Sequence, residues 1–230
     1  MEIKEASGEP GPDSFFLAFS FHLSPFSPFV YTFSKFYHRP LSSLTQAERT
    51  LIMSTQKSGK VILIGYRATG KSTVGRLLAA RLGVDFLDMD KVIVEREGCT
   101  IEAMVAAHGW PYFRERERRL LRELVDRGPL VVATGGGAIL HQDLWAALMK
   151  SGLVVWLAAD QCTIRKRLAK DGRNRSQRPG LTKAGTQAEI EAVLAEREPL
   201  YAKGCHLTID TGRQSPAATV AAIIQALGQP

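Results

Sequence analysis

Cysteine is scarce and poorly placed for crosslinking. The chain holds three, Cys99, Cys162 and Cys205, an odd number scattered without the close spacing of metal ligands. That excludes a disulfide scaffold, and reduced thiols in a cytoplasmic protein are the expectation. Basic residues are short at the start, where Met1 to Asp13 carries one Lys against four acids. This is the reverse of a secretory or basic transit segment. An uninterrupted apolar span is also lacking. The stretch from Phe15 to Phe33 contains His22, Pro25 and Pro28, and two prolines break a helix barely long enough to cross a bilayer. No RNA- or DNA-reading motif occurs. Neither a membrane nor a nucleic acid is expected as partner.

What is present suffices for one α/β domain. The 230 residues are 45% hydrophobic and 23% charged, with a net charge of +7. Such an excess favours an anionic partner without choosing among them. The composition breaks sharply near residue 53: eight of the ten Phe lie between Phe15 and Phe36, together with five of the eleven Pro before Met53. All the excess positive charge lies beyond that point, where 26 basic residues face 18 acidic ones. Residues 1–57 are therefore read as a leader without helix or strand period, and 58–230 as the folded domain. Met53 opens a polar stretch that would serve as a natural start.

From Lys60 the pattern is regular. Short β-branched runs predict strands at Val61–Ile64, Val84–Leu87, Leu130–Ala133, Leu153–Leu157 and His206–Ile209. Val74, Leu77, Leu78 and Leu82 recur at helical spacing, with Gly83 as stop. Further helices are predicted around Lys91–Glu97, Thr100–Ala107 and Phe113–Val125, through Arg165 and Leu168, and over Gln187–Leu200 and Ala217–Leu227. Asp171–Gly185 reads as a mobile loop from its Gly, Arg, Asn and Pro content. Alternating strands and helices imply a five-stranded parallel sheet covered on both faces.

Gly65-Tyr-Arg-Ala-Thr-Gly70-Lys71-Ser72 fits G-x-x-x-x-G-K-[ST] and sits between the first strand and the first helix, the context the motif needs. Its backbone N–H groups and the positive helix end surround phosphates, Lys71 reaches the outer ones, and Ser72 offers a hydroxyl to Mg²⁺. Asp88-Met-Asp90 follows the second strand. Alternation along extended chain would aim both carboxylates at the ligand crevice, one toward a metal and one toward an acceptor hydroxyl; alternatively they cap the next helix. Gly135-Gly136-Gly137 ends the third strand, where glycine lets backbone approach a ligand closely. Arg114 and Glu117 lie three apart on one helix, so the acid can orient the guanidinium. Arg178-Pro179 falls in the loop after the fourth strand, with Arg173 and Arg175 nearby. Arg197 precedes Pro199-Leu200-Tyr201, and on its own grounds a charge answering a helix dipole explains it equally well.

Taken together, these residues resemble the shikimate kinase family. The motifs are Gly65–Ser72, Asp88-Met-Asp90, Phe113-Arg114 with Glu117, Gly135-Gly-Gly-Ala138, Arg178-Pro179 and Arg197-Glu-Pro-Leu-Tyr201, in order over about residues 58–228. The resemblance implies a P-loop kinase with a mobile lid loop. It also implies a cytoplasmic, monomeric enzyme that phosphorylates the 3-hydroxyl of shikimate with ATP and Mg²⁺, on the route to chorismate and aromatic amino acids. Lys71, Asp90 and Arg178 would be catalytic, and Ser72 and Asp88 would serve the metal. Gly65, Ala68, Thr69, Gly70, Lys71, Ser72, Thr73, Arg167, Arg178, Gln214 and Pro216 would bind the nucleotide. Asp90, Arg114, Gly135, Gly136, Gly137 and Arg197 would bind shikimate.

Some positions depart from the family pattern. Ala68 replaces a glycine within the phosphate loop, which asks for negative φ there. Gln214 stands where many members have Arg, Trp110-Pro111 replaces a polar turn, and Gly180 follows Arg-Pro where an apolar residue is common. The alternatives are a gluconate or nucleoside monophosphate kinase of the same architecture, or a nucleotide-binding module without catalysis.

Overall fold

The computed structural model describes residues 59–170 and 186–228. The leader over 1–57 and the loop Asp171–Gly185, with Arg173, Arg175 and Arg178, lie outside the described residues.

Strand β1 (Val61–Ile64) begins the domain, and helix α1 (Lys71–Leu82) follows the phosphate loop. Then come β2 (Asp85–Asp88), α2 (Met89–Glu97), α3 (Ile101–Asp126) and β3 (Leu130–Ala133). A single 3-10 turn (Ala138–Leu140) leads into α4 (Gln142–Ser151), β4 (Leu153–Ala158) and α5 (Gln161–Lys170). Helix α6 (Thr186–Lys203), β5 (Leu207–Asp210) and α7 (Pro216–Ala226) complete the chain. The five strands are all parallel, in the order β2-β3-β1-β4-β5. β1 is therefore central, and it delivers the phosphate loop to the middle of the sheet edge.

Alternation along β1 supplies both faces of the sheet. Ile62 and Ile64 pack with Val132, Val154 and Trp156 beneath α2, α3 and α4. Val61 and Leu63 pack with Val131, Val155 and Leu157 against α1 and α7. Strands buried on both faces read as continuous apolar runs, as these do. The side chain of Lys60 is buried at the foot of β1 and donates to the carbonyls of Leu124 and Val125 at 2.7 and 2.9 Å. It thereby satisfies carbonyls that the end of α3 would leave open.

Several elements differ from expectation. Strands β2 and β5 sit one residue later than their apolar runs, because the ladder with β3 and β4 extends to Asp88 and Asp210. The two helices expected over 100–107 and 113–125 are both present but meet end to end within α3 at Gly109, whose φ of 77° and ψ of 170° are open to glycine, with no longer connection between them. Pro111 falls in the first turn after this break, where its missing N–H is harmless. Helix α4 was not expected, although Leu144, Trp145, Leu148 and Met149 have helical spacing and Gly152 follows as a stop. Leu77 is 45% exposed, and Gly75 and Ala79 take its place in the buried stripe of α1. Helix α6 continues to Lys203 instead of ending at Leu200.

Candidate active site

The phosphate loop leaves β1 through Gly65, whose φ is 133°. A Cβ there would lie 2.4 Å from the Leu157 carbonyl oxygen, so glycine is required by the close passage of β4. Gly70 has φ 95° and starts α1, where the amides of Thr73 and Val74 bond to its carbonyl. Lys71 is buried and curls back so that Nζ donates to the carbonyls of Gly65 and Tyr66, both at 2.7 Å. The Thr69 hydroxyl donates to the Tyr66 carbonyl at 2.8 Å.

Ala68 corrects the sequence reading. Its φ is +62°, so the loop keeps its left-handed turn despite the methyl group. That conformation costs a residue with a Cβ roughly 1–2 kcal/mol. The curvature between Gly65 and Gly70 therefore outweighs the preference of the side chain.

The two aspartates part company. Asp88 ends β2, and its Oδ2 accepts from Ser72 Oγ at 2.6 Å. It stands at the N-cap position of α2 but makes no capping hydrogen bond. Asp90 already belongs to the first turn of α2 and is 8% exposed. The extended alternation expected for the pair does not occur, because the helix begins at Met89. The turn sends Asp88 to the helix end beside the phosphate loop and Asp90 into a separate cavity.

That cavity lies between the phosphate loop, α2, α3, α6 and the triple glycine. Arg114 and Glu117 form an ion pair of 2.6 Å on α3, with Glu117 only 1% exposed. The Arg114 guanidinium rests 5.2 Å from the Trp110 ring centre and 5.3 Å from that of Phe113. A Cβ on Gly135 would meet Glu117 Oε1 at 2.5 Å and Asp90 Oδ1 at 3.0 Å; one on Gly137 would meet the Arg114 guanidinium at 2.2 Å. A side chain at either of these two glycines would displace the charged groups that line the cavity. Gly136 has only ordinary contacts at its Cβ position, but its carbonyl accepts from Arg197 Nη1 and from the Tyr201 hydroxyl. Burial pushes the Tyr201 phenol well above its usual pKa, so it stays a donor. Arg197 is 6% exposed, which removes it from the role of a surface charge answering a helix end.

Two buried polar atoms in this cavity, Glu117 Oε1 and Arg197 Nε, have no hydrogen-bond partner among the described residues. An acceptor and a donor left open together suit a ligand carrying both hydroxyl and acid groups. Sequence reasoning missed His141, whose Nε2 lies 3.1 Å from Glu117 Oε2, and Arg67, a cavity-lining residue of the phosphate loop. Arg67 was legible as a cation at a variable motif position; His141 became visible only through the turn after the glycines.

The residues expected to border the nucleotide lie near the same loop. Arg167 on α5 donates through Nη1 to the Ala68 carbonyl at 3.3 Å, and through Nη2 to the Thr211 carbonyl at 2.6 Å. Gln214 and Pro216 lie exposed in the turn and first helical residue after β5. Thr73 is exposed on α1. Ser72 Oγ and Asp88 offer hard oxygen ligands of the kind Mg²⁺ takes alongside water and phosphate oxygens, so these residues fit that ion.

Comparison with known proteins identifies the family. The family model for shikimate kinase matches residues 67–228. A shikimate kinase of Oleidesulfovibrio alaskensis is 45% identical over 162 residues, 70% of this chain and 92% of the relative. One from Nitrosomonas europaea is 41% identical over 171 residues, 74% of this chain and 79% of the relative. Among solved structures, shikimate kinase from Acinetobacter baumannii in complex with shikimate has a TM-score of 0.68 and 34% identity, covering 76% of this chain and 95% of the other. With the phosphate loop, the paired arginines and the triple glycine in one crevice, the chain belongs to the shikimate kinase family.

Proposed function

We propose that the protein transfers the γ-phosphoryl group of ATP to the 3-hydroxyl of shikimate, giving shikimate 3-phosphate and ADP. The observation that carries this reading is the cavity beside the phosphate loop, with the guanidiniums of Arg67, Arg114 and Arg197, the carboxylates of Asp90 and Glu117, and two open buried polar atoms. Arg114 and Arg197 would hold the substrate carboxylate, a planar fork being suited to two oxygens. Glu117 Oε1 and the backbone of Gly135–Gly137 would receive ring hydroxyls.

Asp90 would accept the proton of the reacting hydroxyl as its oxygen bonds to the γ-phosphorus. The bond from that phosphorus to the β,γ-bridging oxygen breaks, and ADP leaves. Lys71, released from the Gly65 and Tyr66 carbonyls, would follow the charge on the phosphates, and Arg178 would add to it. Ser72 and Asp88 would hold Mg²⁺, which when bound neutralises phosphate charge. Arg167, Gln214 and Pro216 would border the adenine. No described helix is long and apolar enough to cross a membrane.

An acceptor screen by ATP consumption tests the reading. Shikimate must exceed gluconate and nucleoside monophosphates by at least about a hundredfold in kcat/KM. A preference for either rival would overturn it, and absence of turnover would favour a non-catalytic module. Residues 58–230 are proposed as the catalytic unit and 1–57 as dispensable to it. Protein starting at Met53 should keep its kcat/KM, and a loss would show that the leader contributes to the domain.

A further inference from the structure

We infer that Thr211, together with Arg167, is a positioning residue that holds the phosphate loop in the left-handed turn it makes at Ala68. Thr211 follows β5 and is 5% exposed. Its hydroxyl lies 3.0 Å from the Thr69 carbonyl and 3.1 Å from the Ala158 carbonyl at the end of β4, and donates its proton between them. The same oxygen accepts from Arg167 Nη1 at 3.0 Å. That guanidinium nitrogen also reaches the Ala68 carbonyl at 3.3 Å. The carbonyls of two successive loop residues, Ala68 and Thr69, are thus held from one side by one connected group.

The consequence follows from peptide geometry. In a trans peptide the C=O of one residue and the N–H of the next point in opposite directions. Holding the Ala68 and Thr69 carbonyls toward Arg167 and Thr211 aims the N–H groups of Thr69 and Gly70 the other way. A glycine at position 68 would hold the left-handed conformation unaided. Ala68 does not favour it, and it is the one described non-glycine residue with positive φ. The clamp supplies the constraint that the residue type does not. Because Thr211 leads directly into the turn bearing Gln214, the clamp also ties the two ends of the nucleotide site together.

This inference rests on the reading of the loop as an ATP site, and the test separates the two. The set is Thr211→Val, Thr211→Ser, Ala68→Gly and the double variant Ala68→Gly/Thr211→Val. Each is assayed for KM of ATP and of shikimate, and by calorimetry with a non-hydrolysable ATP analogue. Thr211→Val should raise KM for ATP about tenfold, the scale of one lost buried hydrogen bond, and leave KM for shikimate within about twofold. Thr211→Ser keeps the hydroxyl and should resemble the parent. Ala68→Gly in the Thr211→Val background should recover most of the loss. Unchanged ATP affinity in Thr211→Val, or a loss that persists in full in the double variant, overturns the inference. If Thr211→Val does not fold, Thr211→Ala enters the same cycle, where rescue by Ala68→Gly supports the clamp and its absence overturns it. A parent protein that fails to bind the analogue would instead overturn the ATP reading itself.

Discussion

Arg197 and Tyr201, one turn apart on α6, donate to a single acceptor, the carbonyl of Gly136. A helix on one side of the crevice thereby fixes the middle of the glycine run on the other. Tyr201→Phe keeps the ring against Trp156 but releases half of this hold. Loss of one buried hydrogen bond costs about 1 kcal/mol. KM for shikimate should rise about threefold to tenfold while KM for ATP stays put; equal effects on both would assign Tyr201 to general stability.

Asp90→Asn keeps the shape of a side chain that is nearly buried in the first turn of α2. The amide does not take a proton, so turnover should fall by about 10²–10⁴. Binding of an ATP analogue by calorimetry should change little. Near-normal turnover would remove Asp90 from the proton transfer.

Arg114→Ala and Arg197→Ala each delete a charge-assisted contact, about 1.5–3 kcal/mol, or tenfold and more. The loss should fall on shikimate and spare ATP in steady-state kinetics. Arg114→Ala also leaves the Glu117 carboxylate facing His141 alone, so it should be the less stable of the two in thermal unfolding.

His206 gives a pH dependence away from the site. Its Nδ1 accepts from the Val154 amide at 2.9 Å, and burial lowers its pKa from the usual 6.5. The unfolded chain then binds a proton that the folded chain refuses, so stability is present above the unfolded pKa and falls as pH drops below it. The decline stops once the pH passes the lowered folded value. His206→Asn keeps an acceptor without titrating and should flatten the slope of Tm between pH 7.5 and 5.5. An unchanged slope would place the titration elsewhere.

Much of this site was readable because it is written in local terms. Gly65, Gly70, Lys71 and Ser72 are spaced by the loop itself, and the apolar runs of β1, β3 and β4 placed that loop at the centre of a parallel sheet. What depended on tertiary contact was not readable. The positive φ of Ala68 is imposed by the curvature of the loop and by Arg167, 99 residues away along the chain. The divergence of Asp88 and Asp90 followed from a helix starting one residue earlier than an extended reading allows. Arg197 looked like a helix-end charge until α6 was packed across the triple glycine. His141 had no pattern to announce it.

The break at Gly109 divides α3 mechanically. Beyond it, the segment carrying Arg114 and Glu117 is moored at its far end by Lys60. Before it lies the segment of Ile101, which contributes apolar wall to the same cavity. The backbone conformation at Gly109 interrupts the ladder of helical hydrogen bonds between the two. The guanidinium that faces the cavity therefore stands on the moored segment together with Trp110 and Phe113, while Ile101 reaches the same wall from across the break. Gly109→Ala, strained at its φ of 77°, should disturb how closely that wall fits an acceptor while the Arg114–Glu117 pair stays in register. One residue, Gly109, thus sets how two helical segments that line the same cavity are placed against each other.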